Sequence, residues 1–336
     1  MSSTTTLVGL PLELFEEAAS YLSKKDLKAL RHVSRVCAIK VGSLYAKRVH
    51  YHNSVTLRDE SDMRRALMMA RHHLIGPALR KITIFIDETK DAQERKFVDR
   101  GDDAKMLTVF FELLQVAGAK VEEVKVKGTS RLTVRSKAQK RTAPENGDLR
   151  AVKVVLRALA KSGVKPSAFV IRGGEWRLPV REIGKDGEAM EHFRGLLQSV
   201  EWLRLDVHGT EESTPGVQTF AKAVGAAPKL ATLYIVAPEA KKAEMGPNKK
   251  SDGFLSSLLR QKMPLLGRLG LAGGYIALDK LEAHVKAHPP SQTLELDFWR
   301  FVIRDVGKLA KPGEGHNATV RRVLRAAKAG PVLLRS

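Results

Sequence analysis

The sequence predicts an α/β protein in two parts: a three-helix unit over residues 1–53, then an irregular α/β solenoid with a curved parallel sheet over 54–336. Three observations predict it. Start and stop signals for three short helices crowd into residues 10 to 57, short apolar cores of the form Φ-x-Φ then alternate with helix-capable stretches, and charged residues interleave with several of those cores. Alternating strands and helices imply a parallel sheet. The interleaved charge implies that one sheet face is wet, because strands covered on both faces read as nearly continuous apolar runs.

Leu10-Pro11 places a proline in the first turn of a helix, where a missing N–H costs nothing, and Glu13, Glu16 and Glu17 follow near its positive end. Ser23 and Asp26 have capping-box spacing, so a second helix runs through Leu27, Leu30 and Val33. Ser34 caps a third, in which Val36, Cys37, Val41, Leu44 and Tyr45 form one apolar stripe. Cys37 is the only cysteine, which excludes an internal disulfide, and its place on the stripe reads as a buried small hydrophobe. A unit this small buries little area, so some of its apolar residues serve a partner or the following domain.

The run Leu10-Pro11-x-Glu13-Leu14, then Ser20-Tyr21-Leu22, then Asp26-Leu27-x-x-Leu30, then Val33-Ser34-x-Val36-Cys37 resembles the F-box motif. The resemblance covers only this N-terminal unit. It implies a protein that docks on the Skp-type adaptor of a cullin-based (SCF) ubiquitin ligase while the rest of the chain captures a substrate, without chemistry of its own. Leu10, Pro11, Leu14, Leu22, Leu27 and Val33 match the family's apolar positions and are the expected adaptor contacts. Two departures imply a weaker adaptor contact: Ala18 stands where the family usually carries isoleucine or valine, and the tryptophan common in the third helix is absent. Without the resemblance, the same side chains simply close a helical cap.

The remaining residues repeat. Φ-x-Φ cores begin at Val55, Ile82, Val124, Phe169, Leu203, Leu233, Leu269 and Leu294. The arrangement is leucine-rich-repeat-like but irregular, with several intervals longer than the usual roughly 20 to 29 residues. Helix-capable stretches lie between the cores, over 62–74, 104–117, 149–162, 188–199, 217–226, 254–262 and 278–287. Runs such as Val121-Glu122-Glu123-Val124-Lys125-Val126-Lys127 favour helices outside and an open inner face over a doubly wound fold. Thr83/Phe85 and Tyr234/Val236 carry no charge between their apolar partners and keep an α/β sandwich in play.

If the leucines face the core, the alternate residues face the concavity, among them Asp206, His208, Glu295 and Asp297. The substrate-contact candidates are Lys125, Lys127, Arg172, Trp202, Arg204, Tyr234 and Trp299, since large aromatics beside fixed charges are what binding hot spots prefer. The alternative for the tryptophans is a place wedged between strand and helix.

Lys and Arg number 58 against 37 Asp and Glu, a formal charge of +21, and most of the excess lies beyond residue 54. One concentration, Lys125 to Arg141, belongs to a basic insertion at about 127–148, and lysine pairs recur at Lys241-Lys242 and Lys249-Lys250. Such runs suit an acidic protein, nucleic-acid phosphate or an import receptor, or are solvated loops. Nucleic-acid or polyanion binding is the alternative function, but it lacks zinc-ligand pairs, an RNP pattern or a GXXG clamp, and aromatics are only 6% of the chain.

Dinucleotide, P-loop, nucleophile-elbow and zincin signatures are missing, so no enzyme, cofactor or metal is expected. His284 and His288 share i, i+4 spacing, but Pro289 ends that helix and no third ligand follows, so both read as surface histidines. No apolar run approaches the eighteen or so residues of a membrane helix. The expectation is a soluble protein of the cytoplasm or nucleus, whose partners are a Skp-type adaptor, through it a cullin, and a protein substrate.

Overall fold

The computed structural model describes residues 7–86, 92–128, 145–173, 177–208, 214–237, 253–273, 275–287, 294–299, 302–304, 318, 322–324, 326 and 332–335. Three helices open it: α1 (Leu12–Ser20), α2 (Lys24–Val33) and α3 (Arg35–Val49). The caps follow the sequence. Ser23 Oγ accepts the amide of Asp26 at 3.2 Å, and Ser34 Oγ accepts that of Cys37 at 3.1 Å. The Asp26 carboxylate accepts the Ser23 hydroxyl at 2.7 Å, whereas a capping box would turn it to the backbone. Pro11 takes the N-cap position with extended backbone, one residue before the expected first turn. Two cations of α3 reach back over α1: Lys40 donates to the carbonyls of Val8 and Leu10, and Arg48 to those of Ser20 and Leu22. The latter pair occupies the negative end of α1, where a cation is favoured. Phe15, Ala19, Leu27, Cys37 and Val41 form this unit's own core, separate from the larger one. Val36 leaves the predicted stripe and faces outward.

The larger part is one open parallel sheet. Its strands are β1 (His52–Thr56), β2 (Lys81–Ile86), β3 (Glu123–Gly128), β4 (Ala168–Gly173), β5 (Leu178–Pro179), β6 (Trp202–His208), β7 (Thr232–Val236), β8 (Arg268–Ala272), β9 (Tyr275–Ala277), β10 (Leu294–Trp299), β11 (Val302–Arg304) and β12 (Val332–Arg335). The sheet order is β1-β2-β3-β4-β6-β7-β8-β10-β12, the order of the chain, and every pair is parallel. β5 pairs with β6 beside this path, while β9 and β11 form a separate pair beyond Gly273, whose φ of 64° lies in the left-handed region that glycine adopts readily.

Each intervening helix begins within a few residues of its expected position: α4 (Glu60–Arg71), α6 (Asp102–Val116), α7 (Glu145–Ser162), α9 (Gly187–Leu197), α10 (Pro215–Gly225), α11 (Gly253–Leu258) and α12 (Leu278–Ala287). Two more, α5 (Ala92–Asp99) and α8 (Val180–Lys185), fill intervals the sequence left blank. Helices pack on helices in succession, α4 on α6, α6 on α7, α7 on α9, α9 on α10 and α10 on α11, as one layer does.

That layer sits against two ladders of apolar side chains. One runs Ile82, Val124, Phe169, Leu203, Leu233, Leu269, Leu296, and the other Val55, Ile84, Val126, Ile171, Leu205, Ile235, Leu271. All of them are buried in a single continuous core with the helices. Asn53 heads the first ladder where an aliphatic would fit, buried on the edge strand with its Nδ2 lacking a hydrogen bond among the described residues. The fold is thus α/β and coarsely solenoid-like.

Two polar details tie the helix layer together. Arg150 of α7 grips Asp103 of α6 through both guanidinium nitrogens, at 2.6 and 2.8 Å, and also donates to the Val98 carbonyl at 2.9 Å. The Asp103 hydrogen bonds raise the Arg150 pKa above its ordinary value. His284 of α12 is buried, with Nδ1 3.0 Å from the Leu259 carbonyl, which corrects the surface position expected for it; His288 lies outside the described residues.

Candidate protein-interaction surfaces

Two surfaces stand out, and the first is the helical unit. Of the thirteen large hydrophobics exposed among the described residues, nine lie between Leu7 and Tyr51. The unit fills its small core with two residues from α1, one from α2 and two from α3, and many of its remaining apolar residues face outward. Leu14 is 51% exposed and Val33 69%. Pro11 is also exposed, while Leu10 and Leu22 are half-buried against the unit's core. Leu27 is wholly buried, which corrects its expected place on the adaptor surface: it is the residue of α2 that holds the core together. Sequence reasoning missed Tyr21 (84% exposed) and Ile39 (70%). The signal for Ile39 was its i+3 spacing from Val36, on the face away from Cys37 and Val41.

The second surface is the sheet face opposite the helices. Its first row is His52, Lys81, Glu123, Ala168, Trp202, Thr232, Arg268, Glu295; its second is Ser54, Thr83, Lys125, Val170, Arg204, Tyr234, Gly270, Asp297. A third carries Thr56, Phe85, Lys127 and Arg172 on one side and Asp206, Val236, Ala272 and Trp299 on the other. Every predicted substrate residue therefore belongs to this face. Lys127 and Arg172 are exposed, and Lys125, Trp202, Arg204 and Tyr234 half-buried. Trp299 is placed by its backbone register alone; its side chain lies outside the described residues, as do the insertion over 129–144 and the lysine pairs within 238–252.

The uncharged units are resolved by this geometry. Thr83 is covered by neighbours on its own face, with His52 Nε2 2.8 Å from its Oγ1, and Phe85 lies beneath the Lys127 ammonium at 5.6 Å. Among the described residues, long polar side chains rather than a second helix layer shield these residues. Tyr234 crosses over Gly270 so closely that a Cβ there would meet its Cδ1 at 2.1 Å. Trp202 flanks the Tyr234 ring at 6.3 Å, and the Arg268 guanidinium lies 5.3 Å from it. Sequence reasoning overlooked Arg268 and Lys81 because each opens a strand ahead of the Φ-x-Φ core used to find it.

Charge divides the face. On β1 to β4 the outward side chains include four cations, Lys81, Lys125, Lys127 and Arg172, and one carboxylate, Glu123, which lies 3.4 Å from Lys81 and 3.7 Å from Lys125. From β6 onward two arginines face three carboxylates: Arg204 pairs with Asp206 at 3.3 Å, and Arg268 is shared by Glu295 and Asp297 at 3.6 Å each. Burial raises the Asp206 pKa against the pull of Arg204 and of the Gly173 amide. Burial and then the Lys125 charge lower that of His52.

No group of three or more metal-ligating side chains occurs among the described residues, and no described helix is long and apolar enough to cross a membrane. No known protein-family profile matches the chain, and no curated protein is significantly similar to it.

Proposed function

We propose that this chain is the substrate-recognition subunit of an SCF-type ubiquitin ligase. Its F-box-like helical unit docks on the Skp-type adaptor, and its leucine-rich-repeat-like solenoid holds a protein substrate on the open strand face. The observation that carries the reading is the concentration of exposed apolar side chains on the helical unit, Leu14 and Val33 among them. Left in water they are a liability, and a partner that covers them removes it. The strand face supplies the second requirement, a broad surface with aromatic and charged anchors.

Such a receptor needs no chemistry. Holding the substrate beside the charged conjugating enzyme raises its effective concentration, so that transfer becomes quasi-intramolecular. The work would be done in the cytoplasm or nucleus, where such ligases assemble.

The test is a binding measurement between the purified chain and a purified Skp-type adaptor. The wild type should bind, and Pro11→Ala combined with Leu14→Ala and Val33→Glu should weaken binding by at least about 100-fold, since each residue is exposed and interface anchors carry roughly 1 to 4 kcal/mol. Circular dichroism should show the variant folded. A wild type that ignores the adaptor and instead binds polyanions with steep salt dependence ends the reading in favour of the alternative.

A further inference from the structure

We infer that the basic half of the strand face, on β2 to β4, is the docking surface for an acidic protein segment, one that presents carboxylates at alternate residues of an extended stretch. This rests on the receptor reading above and names its substrate class.

Lys127 and Arg172 are register partners on adjacent parallel strands, roughly 5 Å apart at the backbone. Like charges directly opposite one another cost stability in a sheet. Both side chains are exposed, and among the described residues neither takes part in a salt bridge. Lys125 and Lys81 share the single carboxylate of Glu123, while Glu122, just before β3, accepts the Tyr51 hydroxyl at 2.7 Å. Lys127 and Arg172 therefore face each other without a salt bridge among the described residues, offset only by the field of the buried Asp206 carboxylate on Arg172, and an incoming anion relieves them.

Spacing then selects the ligand. Lys125 and Lys127 point the same way from alternate positions of β3, about 7 Å apart, the repeat of alternate side chains along any extended chain. A partner segment laid along β3 with acidic residues at every second position matches them in register, with Arg172 and Lys81 reaching in from the neighbouring strands. A nucleic-acid backbone fits less well. Its phosphates would run on to the far half of the face, where Asp206, Glu295 and Asp297 already engage the local arginines. The positive field ends at β4, which suits a short protein segment.

Fluorescence anisotropy tests this on the full chain with three labelled twelve-residue peptides, carrying glutamate, glutamine or lysine at alternate positions, and a single-stranded oligonucleotide of twelve nucleotides. The glutamate peptide should bind, the glutamine and lysine peptides should not, and the oligonucleotide should bind more weakly. Lys127→Glu with Arg172→Glu should reduce glutamate-peptide affinity about tenfold or more, as truncated interfacial charge pairs do. Lys161→Glu with Lys165→Glu, exposed residues outside this face, should leave it within about twofold. Equal losses in both double variants would reduce the effect to net charge and overturn the proposal. So would a glutamate peptide that fails to bind, or an oligonucleotide that binds more tightly and loses affinity in the same variant. Adaptor binding is measured on the same samples. Loss of adaptor binding with peptide binding intact removes the ligase reading alone, and the converse removes only the acidic-segment surface.

Discussion

Two buried groups show how single residues constrain the molecule. The Asp103 side chain is fully buried, and Arg150 provides its two charge-assisted hydrogen bonds from a side chain 36% exposed. Arg150→Ala leaves that carboxylate without its cation, so urea unfolding should show a loss of about 3 kcal/mol, the low end for a broken buried pair because water reaches the Arg150 side. Asp103→Asn with Arg150→Gln should recover part of it. His284 has no partner for Nε2 among the described residues, and burial lowers its pKa. A depressed imidazole favours the folded state above its unfolded pKa of about 6.5, and that stability is lost as pH falls through the folded value. The melting temperature should therefore drop as pH is lowered from 7 toward 5, less steeply in His284→Gln. An equal slope in that variant would assign the effect to other groups.

At the scale of elements, close backbone approach decides where side chains cannot grow. α8 crosses α10 at Gly184 and Gly216, where a Cβ on Gly184 would stand 1.9 Å from the Gly216 carbonyl oxygen. Backbone cannot yield as a side chain can. Gly184→Ala should lower stability by about 3 kcal/mol in chemical denaturation, at the upper end of overpacking costs, whereas Gly187→Ala, with open space around it, should change it little. This crossing was invisible in the sequence, because α8 is too short to show a period and its Val180 and Ile183 resemble any apolar pair. Helices long enough to display a 3.6-residue repeat and strands with strict alternation were legible, since burial on one side imposes the pattern. The outward strand face was legible for the same reason: the outward register of Lys125, Trp202 and Tyr234 follows from the inward register of Val126, Leu203 and Ile235. Leu27 was not, because a motif records which residues matter without saying whether they hold the unit together or touch a partner.

For the whole molecule the ends of the sheet are critical. β12 pairs with β10 from nearly forty residues downstream, a strand without a Φ-x-Φ signal strong enough to predict it. It replaces the six-residue β10 edge with its own of four residues, and a shorter edge offers fewer unpaired amides and carbonyls to another chain. Deleting 331–336 should leave the helix content nearly unchanged by circular dichroism but shift the protein toward oligomers in size-exclusion chromatography. A monodisperse monomer after deletion would show that the β10 edge is protected by other means. At the opposite end, α3 approaches the body at Gly42, where a Cβ would lie 3.0 Å from Leu74 Cδ1, so the helical unit leans on the first repeat.

Because neighbours in the sheet are also neighbours along the chain, synthesis and assembly can proceed in the same direction. By the time β6 has left the ribosome, β1, β2, β3 and β4 have met every strand they pair with among the described residues, and a nascent chain stalled there has a finished front and an unfinished back.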